Sequence, residues 1–108
     1  MLKLASPITY NTYISPVCLP PQGFNLATLD TPLFVTGWGQ ISGRGPTSDV
    51  LRQASITVNP LSKCGATSNN QICAGKLVTP VADSCSGDSG GPAVAKSGST
   101  FFLSGIVR

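Results

Sequence analysis

An all-β fold is predicted by three features of this sequence. Of its 108 residues 12 are glycine and 9 are proline, and there is no glutamate, a composition rich in turn formers and poor in helix formers. The apolar residues gather in short runs, several of them alternating with polar residues, and not at helical spacing. Those runs recur at the intervals expected of turn-linked strands in an antiparallel barrel. Hydrophobic residues make up 41% of the chain and charged residues 10%. That is enough apolar material for the core of one small domain and too little charge for a disordered tail.

Taken in order, Met1-Leu2-Lys3-Leu4-Ala5-Ser6 is a short apolar strand end, and Pro7 to Gln22 is an extended connector. Its prolines, densest in Ser15-Pro16-Val17-Cys18-Leu19-Pro20-Pro21, remove backbone donors and push their neighbours out of helical conformation. Leu33-Phe34-Val35-Thr36-Gly37-Trp38-Gly39 is a strand that delivers Trp38 to the core. Ser42 to Asp49 is a flexible exposed loop. Val50 to Val58 is a half-buried strand with Ala54, Ile56 and Val58 on one face and Arg52, Ser55 and Thr57 mostly on the other. Asn59-Pro60 ends it. Gln71 to Gly75 is a further short strand, and Pro92–Lys96 and Thr100–Val107 are two more around the turn Ser97-Gly98-Ser99.

The net charge of +3 comes from scattered lysines and arginines. With no basic cluster or aromatic platform, nucleic acid is excluded as a partner. There is no transmembrane run, and Met1-Leu2-Lys3-Leu4 is too short and too soon polar for a secretory signal peptide, so the N-terminus reads as internal. The four cysteines, Cys18, Cys64, Cys73 and Cys85, contain no C-x-x-C, and their spacing argues against zinc. No metal or other cofactor is expected.

The chemistry concentrates in Asp83-Ser84-Cys85-Ser86-Gly87-Asp88-Ser89-Gly90-Gly91-Pro92. Glycines on either side of Ser89 remove β-carbons that would obstruct a substrate carbonyl, which suits a nucleophile. The N–H groups of Gly87 and Ser89 suit the stabilisation of an oxyanion. Asp88, adjacent in sequence, lacks the geometry of a general base for Ser89 and reads as a turn-stabilising carboxylate or a buried ion-pair partner. The stretch also satisfies the G-x-S-x-G nucleophile elbow, but Gly90-Gly91-Pro92 cannot open the helix that the elbow requires. The plain alternative is a glycine-rich turn between strands that happens to contain serine.

As a whole, Asp83–Pro92 resembles the active-serine segment of the chymotrypsin- and trypsin-like serine proteases. Further likenesses span the chain: Met1–Pro7 to the segment closing the first β-barrel, Val17-Cys18-Leu19-Pro20 to the crossing between barrels, Leu33–Gly39 to the first strand of the second barrel, and Gln71–Gly75 to the approach to the specificity loop. The resemblance implies an incomplete second barrel of the two-barrel protease fold. Residues 1–22 would be the end of the first barrel and the connector, and residues 23–108 the second barrel, truncated at its C-terminus. It further implies a secreted serine endopeptidase acting on protein or peptide substrates after Arg or Lys, and a target for protease inhibitors.

By the same resemblance Ser89 is the nucleophile and the Gly87 and Ser89 N–H groups form the oxyanion hole. Asp83 lies at the floor of the substrate pocket, with Ser84 and Ser86 beside it. Asp88 is the residue that in this family pairs with a new N-terminal ammonium created by cleavage, and without that ammonium the loop from Asp83 to Gly91 is expected to be disordered or zymogen-like. Cys64 and Cys73 are expected to pair, whereas the usual partners of Cys18 and Cys85 are absent. Leu33 and Ala95 stand where most members carry a disulfide, and Arg44 is a candidate site of autolysis.

The sequence departs from the family in one decisive respect. It contains no histidine, and neither Asp30 nor Asp49 sits in the motif that carries the family's aspartate. The chain by itself is therefore expected to be inactive. Two alternatives accompany the enzyme: a non-catalytic protease-homologue binding module, and a fragment of a longer secreted enzyme.

Overall fold

The structure, a computed structural model, describes residues 2–65, 68, 70–75 and 83–108. Its strands are β1 (Pro32–Gly37), β2 (Arg52–Asn59), β3 (Cys73–Gly75), β4 (Pro92–Ser97) and β5 (Thr100–Ile106), with a short 3-10 turn at Leu61–Lys63. They form one open antiparallel sheet in the order β3-β2-β1-β4-β5. This is the all-β architecture that composition and patterning predict, with the sheet left open.

Alternation along each strand decides which residues are buried. β1 turns Leu33 and Val35 inward, β2 Ile56 and Val58, and β4 Ala93 and Ala95, all of them buried. Register then stacks these positions into layers: Leu33 lies opposite both Ile56 and Ala95, and Val35 opposite both Ala54 and Ala93. Leu33 and Ala95 are each 1% exposed, so the position resembling a family disulfide is filled instead by an apolar cross-strand pair. Burying that pair offsets part of what a crosslink would contribute.

Cys64 and Cys73 form a disulfide with a Cα–Cα separation of 5.7 Å. It ties the 3-10 turn to the first residue of β3. Cys18, exposed, and Cys85, partly buried, are free thiols.

Four local expectations need correction. Residues 2–6 form no strand and are exposed. Leu2 and Leu4 are 92% and 57% exposed, so little burial favours a strand there. β2 starts two residues later than Val50, because the Ser48 hydroxyl donates to Val50 O at 2.8 Å and holds the chain in a turn up to that point. Arg52 shares the inward face with Ala54 and Ile56, as period two requires, and is exposed only because it lies at the strand end. Trp38 is 57% exposed: Leu33, Val35, Gly37 and Gly39 alternate inward, so Trp38 falls on the outer side.

The connector behaves as its prolines dictate, extended and largely unpaired. Asn11 caps a tight turn within it, its Oδ1 accepting from Tyr13 N at 2.8 Å and from Ile14 N at 3.0 Å. Cys18 then lies along the free edge of β5, accepting from Leu103 N at 2.8 Å. The loop after β1 is pinned rather than loose, with Ile41 N donating to Pro46 O and Gly45 N to Ser42 O. Arg44 stands exposed at its tip.

Candidate active site

Asp83 to Gly91 runs as a pair of tight turns between β3 and β4, and backbone hydrogen bonds fasten it on two sides. On the β1 side, Gln40 N donates to Ser86 O at 2.8 Å. On the β5 side, Gly90 N donates to Val107 O at 2.8 Å and Val107 N to Gly91 O at 2.9 Å. Within the loop, Asp88 N donates to Cys85 O and Gly91 N to Asp88 O, each at 3.0 Å. Gly87 takes φ +101°, a setting costly for any residue with a β-carbon.

Asp88 is the anchor. Its Oδ1 accepts from Gly39 N at 2.8 Å and its Oδ2 from Cys85 N at 2.9 Å. Charge-assisted bonds of this kind are among the stronger ones in proteins. The carboxylate therefore has backbone partners within the chain, and Asp83–Gly91 is a defined loop, not a disordered one. Both oxygens have a partner without any ammonium, because the turn after β1 presents an N–H to one of them and Cys85 an N–H to the other.

This contact explains the G-x-G spacing around Trp38. A β-carbon at Gly37 would collide with Asp88 Oδ1, and one at Gly39 would lie 2.5 Å from Asp88 Cγ. Both positions must be glycine for the carboxylate to pack against the sheet. Reading the sequence for nucleophile and acid missed these two supporting residues. Two glycines two apart at the end of an apolar strand, and so on one face, were the available signal.

Ser89 is exposed at the crest of the second turn. Its hydroxyl has no hydrogen-bond partner among the described residues, and neither the Gly87 nor the Ser89 N–H has an acceptor there. Asp83 is exposed, with Oδ1 accepting from Ser84 N at 2.8 Å. Its Oδ2 would lie 2.9 Å from a β-carbon at Gly75, the last residue of β3. Ser84 is partly buried and Ser86 exposed.

A cleft of about 440 Å³ opens between the ends of β1 and β2 and the loop, lined in part by Thr36, Gly37, Gly39, Arg52, Asp83 and Asp88. Both loop carboxylates face it and Ser89 does not, so the cleft lies behind the nucleophile loop. Among the described residues, no group of three or more His, Cys, Asp or Glu side chains is placed to hold a metal ion. No helix there is long and apolar enough to cross a membrane.

The family model described as Trypsin matches residues 1–108. The chain is 39% identical over 114 residues to transmembrane protease serine 9 of Rattus norvegicus, covering 99% of this chain and 11% of that protein. It is 38% identical over 113 residues to trypsin-1 of Astacus astacus, covering 99% and 46% respectively. To vitamin K-dependent protein C of Equus caballus it is 39% identical over 116 residues, covering 99% and 73%. The chain thus spans less than half the length of the first two relatives.

Proposed function

The chain belongs to the trypsin family, and from that premise we propose that it is the serine-bearing part of a secreted endopeptidase that cleaves after Arg or Lys. Ser89 is the nucleophile, and the Gly87 and Ser89 N–H groups receive the oxyanion. The observation that carries this proposal is the fastening of the loop: Asp88, Ser86, Gly90 and Gly91 are all tied to flanking structure while Ser89 is left exposed between them. A hydroxyl presented in that way, beside two N–H groups without described acceptors, suits acyl transfer.

Asp83 sets specificity, with Ser84 and Ser86 beside it. A carboxylate there favours a guanidinium or ammonium on the substrate over any uncharged side chain. Residues 1–22 act as the link to the first barrel and residues 23–108 as the second barrel.

A serine hydroxyl needs a base to act at neutral pH, and this sequence has no histidine. The chain on its own is therefore inactive, and catalysis belongs to any product in which a histidine and its orienting aspartate meet Ser89. In such a product a phosphonate bearing a basic side chain is expected to label Ser89. Ser89→Ala should abolish the label, and Asp83→Ser should remove the preference for basic over uncharged probes. Labelling that survives Ser89→Ala would refute the assignment of the nucleophile. Against a non-catalytic binding role stand Asp83, Gly87 and Ser89, all retained.

A further inference from the structure

The inner face of β1 and β2 is built from cross-strand pairs: Leu33 with Ile56, Val35 with Ala54, and then Gly37 with Arg52. The first two pairs are packed core. The third puts no side chain on one strand and a cation on the other. A β-carbon at Gly37 would collide with Asp88 Oδ1, so that oxygen occupies the place of the absent side chain. Directly opposed residues carry their β-carbons on one face about 5 Å apart. Arg52 therefore starts beside the Asp88 carboxylate, a separation its stem can span, and both side chains line the same cleft.

The root of the guanidinium is already fixed. Arg52 Nε donates to Ser48 Oγ at 2.9 Å, and Ser48 is buried, its hydroxyl donating to Val50 O. The two Nη groups have no acceptor among the described residues. Asp88 Oδ1 and Oδ2 accept one backbone N–H each, and a carboxylate oxygen can accept a second donor.

We propose that Arg52 is a positioning residue: an in-chain counter-ion for Asp88 that holds the Ser89 loop in place without an ammonium generated by chain cleavage. This rests on the role given above to the Ser89 loop. The planar guanidinium, held at Nε, needs only to turn its Nη groups toward the carboxylate. Asp83 lines the same cleft and is the competing carboxylate.

The test is amide hydrogen exchange at Gly39 and Cys85, whose N–H groups hold Asp88, measured in the full 108-residue chain. Arg52→Gln should speed exchange at both amides about tenfold, the loss of one charge-assisted interaction. The core amides of Leu33 and Val35 should keep their rates and report an intact fold. Arg52→Lys should recover most of the protection, and added salt should move the wild type toward Arg52→Gln. Unchanged rates at Gly39 and Cys85 in Arg52→Gln would overturn the proposal. So would an Arg52→Lys variant no better protected than Arg52→Gln, which would mark a packing role. Asp83→Asn reproducing the Arg52→Gln effect would assign the guanidinium to Asp83 and overturn it as well. None of these readouts involves proteolysis, so failure of Ser89 labelling in a product that brings a histidine and its aspartate to Ser89 would refute the protease proposal and leave the exchange result standing.

Discussion

Asp88 shows how much one side chain settles. Its carboxylate joins the turn after β1 to the serine loop through Gly39 N and Cys85 N, and two glycines exist to admit it. Asp88→Ala should cost about 2 kcal/mol in urea unfolding, the range for hydrogen bonds to a charged group, because both N–H donors lose their acceptor. A cost near zero would mean that water replaces the carboxylate without penalty. Ser89, Asp83 and Gly87 stand out in the sequence because one ten-residue stretch carries them together. Trp38 was misplaced for a physical reason: hydrophobicity says that a residue prefers burial, while the alternation of the strand decides which side it faces. Arg52 was misread in the same way, its charge suggesting solvent although its parity places it with Ala54 and Ile56.

At the scale of elements, all five strands were legible within two residues or so, since each is an apolar run bounded by turn residues. Their ends were not, because they depend on contacts made by side chains distant in sequence or held in turns, such as Ser48 delaying β2. The opposed Leu33 and Ala95 provide a test of register. Leu33→Cys combined with Ala95→Cys should form a disulfide spontaneously in air, since opposed strand residues lie within crosslinking range. Mass spectrometry showing only free thiols would put the register in doubt. The loop closing on Gln40 and Thr47 has its own test. Arg44 is exposed in the turn from Ser42 to Gly45, whereas Arg52 is in a paired strand. Limited digestion with trypsin should therefore cut after Arg44 well before Arg52, read by mass spectrometry of early fragments. Cleavage at Arg52 first would mean that β2 opens more readily than the loop.

For the whole molecule, surface area is the informative quantity. The chain exposes 8411 Å², whereas a compact monomer of 11.1 kDa exposes about 5,700 Å². Large apolar side chains stand exposed on this surface, among them Leu2, Leu19, Phe24 and Trp38. The isolated chain should therefore bind the hydrophobic dye ANS strongly in buffer and lose that signal in urea, whereas a dye response as weak as that of a compact protein would contradict this surface. Composition could not reveal this, because 41% hydrophobic residues is the same number whether the apolar faces are covered or open.

The central claim is that Ser89 is a trypsin-type nucleophile in a chain that holds no base to activate it. Titration of the purified chain with a phosphonate carrying a basic side chain tests it most directly, with Ser89→Ala as the reference. The expected result is no labelling above that reference over hours at neutral pH. Stoichiometric labelling at Ser89 would contradict the claim, because the 108 residues would then activate the serine without a histidine.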